Sequence, residues 1–596
     1  MNDADLWRRN HWVNHIARHA HARPDATYLR FEGRSVTWSR LHQRVGAIAG
    51  AMRQRGVGAG RRVAIMMTNR PEFLETMFAV NALGAIAVPI NFRLAPDEIA
   101  FILTDSGSGL LVVDETTGPA AGRARATCRP GIGLVSAGAT DGADPYFPEA
   151  GGPVELPSVD VAEDSPALIM YTSGTTGRPK GAVLSHQNLQ CQALTVIRAW
   201  RLFGDHEVDL CAAPLFHIAS IGAVAPMVLI GATTVLMPSG SFSAATTLDV
   251  MEAERTTCVF LVPSQWQMVC ADPSLPGRDL SALKTLSWGA APATTALLTQ
   301  MAAAFPAAAN VAVFGQTEMS PVTCALDGAD ALRKIGSVGK PVTGVAARIV
   351  DDDMKDVPSG EVGEIVYRGP QVMSGYWQNA EATAEAMHGG WFHSGDLVRA
   401  DADGFLYVVD RKKDMIITGG ENVYCAEVEN ALASHPAVVE LAVIGAPHEQ
   451  WGETPAAVAV VQPGASLTID ELREWGTGRL ARYKLPTVLH VVPSLPRNAS
   501  GKGLEIRPPP AIRRSPGPAL VTAGQSSALR SSARSDDMAR AVWALTAPSL
   551  IPVAEAIWVA GRSAKYRSTT ISRCRAGRVH SAEMKADRSS SMLISP

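Results

Sequence analysis

Cysteine is sparse and unpaired: eight residues in 596, at positions 128, 191, 211, 258, 270, 324, 425 and 574. No C-x-x-C pair or metal-ligand spacing occurs among them, which excludes a secreted disulfide scaffold and a thiolate zinc site, and leaves reduced, buried thiols as the expectation. Excess positive charge is also missing. A net charge of −3 argues against nucleic-acid binding by the chain as a whole. The first nine residues, through Arg9, contain acids and no apolar core, so a secretory signal is not expected and the cytoplasm is the expected compartment. One apolar stretch, 541–560, has roughly the length of a membrane span, but Pro548, Pro552 and Glu555 interrupt it. What is abundant is core-forming material. Hydrophobic residues make up 46% of the chain, and the length exceeds that at which one core keeps growing, so two or more domains are expected.

The charge is uneven. From 504 onwards there are 14 Lys/Arg against 6 Asp/Glu, a net of +8, which leaves −11 for residues 1–503. Pro508, Pro509 and Pro510 forbid a helix where that tail begins. The remainder is rich in Arg, Ser, Ala and Pro without periodicity, and reads as a foreign, disordered extension.

Before the tail, helical and extended patterns alternate. The spacing predicts a helix over 38–55, a strand over 62–67, a helix over 72–83 and further strands at 110–113, 235–237 and 258–262. This βαβ rhythm implies doubly wound, mainly parallel sheets with helices outside. A Gly/Ala/Pro-rich stretch, 117–160, reads as a surface excursion. Beyond Gly344 the pattern changes to paired strands at 346–350 and 364–367 around an acidic turn. After the charged run 410–414 comes a compact segment with helices expected near 426–433 and 469–482.

The most specific signal follows an apolar strand at 167–170. Thr172, Ser173, Gly174, Thr175, Thr176 and Gly177 lead through Arg178 and Pro179 to Lys180. Glycines let backbone amides turn inward, hydroxyls donate to phosphate oxygens, and the lysine adds charge, so the run points to a nucleotide. It is not a Walker loop, because Arg178 and Pro179 separate Gly177 from Lys180.

This loop resembles the phosphate-binding signature of the adenylate-forming superfamily of acyl-CoA synthetases, adenylation domains and luciferases. Further likenesses follow in that family's order and span most of 25–502, with long-chain fatty-acyl-CoA synthetases of actinobacterial type as the subtype resembled. The fold implied is α/β: an N-terminal domain (1–410) of doubly wound sheets with a β-rich subdomain, a small mobile α+β C-terminal domain (411–503) hinged near Lys413, and a tail (504–596) outside the family pattern. The run Phe314, Gly315, Gln316, Thr317, Glu318 resembles the motif in which the aromatic stacks on adenine, the glycine admits the base, the threonine donates to the α-phosphate and the glutamate holds Mg²⁺. Gly289, Ala290 and Ala291 resemble the other adenine-contacting turn. Asp396, after Trp391 and Gly395, resembles the ribose carboxylate, and Arg411 the arginine beside it.

The resemblance makes Lys502 the catalytic lysine for the substrate carboxylate and α-phosphate. It makes His217 a gate at the acyl pocket, and Gly419 and Gly420 the loop that admits pantetheine once the small domain has turned. No acid follows His217 through Val224, so an apolar acyl chain suits the site better than an amino acid. Trp288 either narrows the acyl tunnel or packs. Arg482 and Lys484 lie on a basic turn that is either solvated or near CoA phosphate. The activity implied is an ATP-dependent fatty-acid:CoA ligase using ATP, Mg²⁺ and CoA, which forms acyl-AMP plus pyrophosphate and then acyl-CoA plus AMP. A ligase that passes acyl-AMP to a carrier protein, and an impaired nucleotide- or lipid-binding paralogue, remain open alternatives. Expected partners are the fatty acid, ATP and CoA, and no nucleic acid. A greasy acid would bring the protein transiently to a membrane surface, without a basic amphipathic helix to hold it there, and a homodimer is compatible with the chain.

Overall fold

The computed structural model describes residues 9–128, 131–147, 160–172, 178–291, 293–418, 421–448 and 450–495. The chain divides into two units, Met1–Arg513 and Arg514–Pro596, and every described residue belongs to the first. The tail expected beyond 503 lies outside the described residues.

Two large sheets form the body of the protein. The first runs in the spatial order Lys340–Pro341, Val322–Leu326, Ala309–Gly315, Thr285–Gly289, Cys258–Leu261, Val208–Cys211, Thr233–Leu236, Thr27–Phe31, Arg34–Thr37. Its centre is parallel and its edges antiparallel. The second runs Gly375–Tyr376, Lys180–Ser185, Pro166–Thr172, Ile86–Pro89, Arg62–Met66, Leu110–Val113, Gly133–Ser136, Asp144–Pro145. It is parallel from Pro166–Thr172 onwards, and Lys180–Ser185 and Gly375–Tyr376 add an antiparallel edge. Most central strands are buried along nearly their whole length, as expected for parallel sheets covered on both faces. The mixed α/β class with a β-rich portion is thus the observed one.

The helices between strands begin where local chemistry starts them. Thr37 caps Trp38–Gln54 by accepting the Arg40 N–H, Ser185 and Asn188 form a capping box at the start of His186–Ala199, and prolines open Pro71–Ala82 and Pro96–Ser106. The helix Trp12–Ala22 turns His15 and His19 inward, following the buried His11 that precedes it. His11 packs on His186 at 5.0 Å between ring centroids, His15 Nε2 lies 3.2 Å from Gln190 Oε1, and His19 Nε2 lies 3.0 Å from the Val228 carbonyl.

A four-stranded antiparallel sheet follows, Ala346–Val350, Val362–Arg368, Phe392–Ala400, Leu406–Arg411. A last sheet begins at Ile416–Thr418 and adds Glu421–Val423, Gly452–Val461, Val438–His448 and Val488–Val491. Asp410 joins the two sheets: its Oδ2 accepts the Cys425 N–H at the start of the helix Cys425–Leu432.

Three expectations change. The stretch read as an excursion from 117 holds the helix Gly118–Ala126 and two strands that extend the second sheet. Its alanines and glycines pack closely, and that closeness hides the periodicity. The helix expected over 469–482 is Ile469–Gly476. It stops where Thr477 turns extended, just after Gly476, where a Cβ would lie 2.6 Å from Leu485 Cδ2. Among the described residues the thiols are free, but Cys128, Cys191 and Cys270 are only half-buried, whereas Cys211, Cys258, Cys324 and Cys425 are buried; Cys574 lies outside the described residues. Among the described residues no helix is long and apolar enough to cross a membrane.

Candidate functional site

The strand Pro166–Thr172 and the returning strand Lys180–Ser185 pair antiparallel, with Thr172 opposite Lys180. The two ends of the phosphate-loop segment are therefore held side by side at a sheet end. Ser173, Gly174, Thr175, Thr176 and Gly177 lie outside the described residues.

Glu318 arrives at these strand ends from the other large sheet. It sits in the short 3-10 turn Thr317–Met319 that follows the strand Ala309–Gly315. The turn is fastened by a Gln316 N–H donating to the Pro321 carbonyl (2.9 Å) and by Met373 N–H donating to the Glu318 carbonyl (2.8 Å). Only 7% of Glu318 is exposed. Its Oε1 accepts hydrogen bonds from Thr172 Oγ1 and from the Tyr376 hydroxyl, each at 3.2 Å. Lys180 Nζ lies 5.3 Å from the centroid of the same tyrosine ring. Burial, and then the Glu318 charge, push the Tyr376 phenol well up from its ordinary range, so it is a donor to that carboxylate at every physiological pH. Thr172 and Lys180, the two ends of one sequence motif, and Glu318, from another, thus come together. Tyr376, which no motif marked, joins them.

This arrangement fits a hard divalent cation in one specific way. A buried carboxylate steadied by neutral hydroxyls supplies an oxygen ligand of the kind such a cation takes. No group of three or more His, Cys, Asp or Glu that could hold a metal occurs among the described residues. That is the donor set of a magnesium ion bound mainly through phosphate and water, not of a protein cage.

A second grouping forms on the four-stranded sheet. Asp396, buried at 2% exposure, pairs in register with Arg411, and Arg411 Nε lies 3.2 Å from Asp396 Oδ1. Glu364, also buried, orients this pair by accepting the Gly395 N–H (3.0 Å) on Oε1 and facing His393 Nδ1 (3.1 Å) and Lys412 Nζ (3.3 Å) with Oε2. Lys412 also reaches Asp352 at 2.7 Å, while Lys413, the expected hinge, is an exposed turn residue. Sequence reasoning missed Glu364. Its signal would have been an acid at an inward position of an otherwise apolar strand. Tyr367, on the strand paired with Phe392–Ala400, has its hydroxyl 3.2 Å from Thr323 Oγ1, which in turn donates to the Phe314 carbonyl (3.1 Å). The strand beside the acid–arginine pair therefore meets the wall that carries the aromatic motif.

The glycines of that wall serve the protein first. Gly315 has φ +155°, and a Cβ there would collide with the Pro321 carbonyl and lie 2.9 Å from Thr323 N. Gly289 likewise allows the close approach of the Val313 carbonyl. The freedom expected to admit a base is, in this structure, required by neighbouring strands. Gly315→Ala is accordingly expected to lower stability by about 2 kcal/mol or more, read as a fall in urea midpoint with unchanged m; an unchanged midpoint would contradict that packing. Ala290 holds a left-handed φ of +65° beside Ala291, and both are exposed.

His217 is the N-cap of the apolar helix Ile218–Ile230, its Nδ1 accepting the Ala219 N–H at 3.2 Å. Trp288, at the end of the strand Thr285–Gly289, is 6% exposed and donates from Nε1 to Asn310 Oδ1 at 2.8 Å. It belongs to an apolar cluster with Trp266, Leu298, Phe305 and Ala312. Lys484 pairs with Glu427, 2.7 Å from both carboxylate oxygens. Lys502, Gly419 and Gly420 lie outside the described residues.

Known proteins share this arrangement at the level of whole domains. The profile of the AMP-binding enzyme family matches residues 16–377, and that of the AMP-binding enzyme C-terminal domain matches 427–502. A feruloyl-CoA synthase of Amycolatopsis sp is 42% identical over 82% of this chain and 96% of its own. An indoleacetate–CoA ligase of Aromatoleum aromaticum is 38% identical over 82% and 95%. The o-succinylbenzoate CoA synthetase of Bacillus subtilis, solved with an acyl-adenylate intermediate, superposes with a TM-score of 0.74 at 31% identity, over 82% of this chain and 96% of its own. With a buried acid at a phosphate-type strand end, two sheets that face it and matches spanning both segments, the chain belongs to the AMP-binding enzyme family.

Proposed function

We propose that this protein is an ATP-dependent acid:CoA ligase whose acid is a compact aromatic carboxylic acid, converted first to acyl-AMP and pyrophosphate and then to acyl-CoA and AMP. The substrates are the acid, ATP and CoA, with Mg²⁺ as the cofactor. Attack of the acid's carboxylate on the α-phosphorus displaces pyrophosphate, so negative charge has to be neutralised on both sides of phosphorus. In this reading Lys180 and the loop hydroxyls serve the pyrophosphate side, Thr317 and Lys502 the α-phosphate, and Asp396 with Arg411 the ribose. Glu318 would hold Mg²⁺, which when bound offsets the phosphate charge. Phe314, with Gly289, Ala290, Ala291 and Gly315, forms the base site. His217 borders the acid, and Gly419 and Gly420 admit pantetheine in the second half-reaction, after the segment from 411 to 503 turns about Lys413.

The acid class rests on Trp288. Its indole, anchored by Asn310 directly before the Gly289 turn and gathered with Trp266 and Phe305 in one apolar cluster, is read here as the fixed bulk that would shorten the space for the acid. The likeness to feruloyl- and indoleacetate-activating relatives supports the same choice over the long-chain subtype. A second reading, a medium-to-long fatty acid, draws on the predominantly apolar helix Ile218–Ile230. A panel of cinnamic-type, aryl-acetic and C8–C16 fatty acids, with ATP and Mg²⁺ and with or without CoA, decides between them. Aryl acids are expected to lead, with thioester only when CoA is present. Trp288→Leu is expected to shift the ratio of kcat/KM towards fatty acids by about tenfold. A wild-type preference for C12–C16 acids would overturn the aromatic reading, and acyl-AMP that never becomes thioester would favour a carrier acceptor.

A further inference from the structure

The contacts of Tyr376 extend the proposed function. Its backbone is fixed by the sheet edge: the residue pairs with Ala182, its N–H donates to Thr383 Oγ1 (2.9 Å), and the Trp377 N–H donates to the Gly181 carbonyl (2.7 Å). From that fixed point the side chain meets Lys180 at one end of the phosphate-loop segment, and Glu318, to which Thr172 at the other end is bonded. The ring lies under Lys180, which follows the segment, and the hydroxyl donates to the same Glu318 oxygen as Thr172, which precedes it. Two donors converging on Oε1 set the carboxylate's rotation and turn Oε2 away from them. The aromatic face attracts the ammonium and restrains where it rests.

We propose that Tyr376 is a positioning residue for Mg·ATP: its hydroxyl orients Glu318 towards the cation and its ring holds Lys180 at the phosphates. The idea rests on the proposed ligase reading, yet it can fail separately, because it is tested by nucleotide binding without acid or CoA. Two side-chain changes separate the two contacts. Tyr376→Phe keeps the ring and removes the hydrogen bond; Tyr376→Leu removes both.

The test is calorimetric titration of the full-length protein with ATP at Mg²⁺ concentrations from micromolar to tens of millimolar. Tyr376→Phe is expected to weaken binding about tenfold at low Mg²⁺ and to regain wild-type affinity at high Mg²⁺. Tyr376→Leu is expected to lose affinity that Mg²⁺ does not restore. In a Glu318→Gln background, Tyr376→Phe should have no further effect, since its hydroxyl acts through that carboxylate. Wild-type Mg²⁺ dependence in Tyr376→Phe would overturn the proposal, as would equal losses with and without Glu318. Melting temperatures measured alongside give a second criterion: a Tyr376→Phe defect that follows lowered stability, and is not restored by Mg²⁺, also counts against it. A wild-type protein that fails to bind Mg·ATP would instead remove the ligase reading.

Discussion

Glu318→Gln is expected to lower acid-dependent exchange of pyrophosphate into ATP by about 10²–10³-fold, with the fold retained. The size follows from what the carboxylate faces. It is buried and receives two hydroxyl donors on one oxygen, so it is held in one orientation and not spread over rotamers. Removing a preorganised group that balances charge at the reacting phosphate costs on the order of 3–4 kcal/mol in the barrier. Glutamine keeps the shape and one acceptor for Thr172 and Tyr376, so the neighbours lose little, and the missing quantity is the negative charge. Exchange reads the first half-reaction alone, and CoA need not be present. Activity within a few-fold of wild type would show that Glu318 braces the strand ends without meeting a cation.

The second large effect concerns acid. Burial, then Arg18, hold His15 down at about 4; burial alone accounts for most of the fall of His11 to about 4, and burial, then His11, bring His186 to about 3. These imidazoles are neutral in the fold, while in the unfolded chain they take up protons below about 6.5. Their contribution is complete above that value and is lost as pH falls from about 6.5 towards 4, by roughly 3 kcal/mol for each. Asp209 acts with the opposite sign: burial raises it to about 8, and its proton favours the fold most in acid. Glu429, raised to about 7 by burial, acts likewise.

The net curve therefore mixes signs, and a difference between variants isolates the histidines. His186 is the sharpest case, because neither ring nitrogen has a partner among the described residues and it is 1% exposed. His186→Leu is expected to match or exceed wild-type stability at pH 8, since it removes an unsatisfied buried polar ring. It should then outlast wild type increasingly as pH falls from 6.5 to 4. Urea midpoints at half-unit intervals provide the comparison. Parallel curves for the two proteins would mean that His186 is protonated, or solvated, inside the fold.

Much of the architecture was readable before the structure. The helix at Trp38–Gln54 and the strands at Arg62–Met66, Leu110–Val113 and Cys258–Leu261 carry strong period and clear stops, so local pattern and tertiary packing agree on them. Where they disagree, packing wins. The helix ends at Gly476, against which Leu485 and Leu432 pack, and no spacing within 469–482 records a neighbour's position. The stretch from 117 onwards hides a helix and strands for a related reason: small residues chosen for closeness have little periodic contrast.

The site divides in the same way. Residue types and order pointed to a nucleotide at 172–180, and the likeness to a family's motifs singled out Glu318, Asp396 and, beside the latter, Arg411. Those readings depend on short-range chemistry, on which side chains and glycines can surround a phosphate or accept a hydroxyl. Only the tertiary structure decided that Thr172 and Glu318, 146 positions apart, share a hydrogen bond, that Tyr376 binds the same oxygen, and that Gly315 is demanded by Pro321 before any ligand. The contacts on Glu318 join elements of different sheets. Their geometry arises from how the sheets pack, because a hydrogen bond between distant residues leaves no period, cap or turn in the chain that makes it.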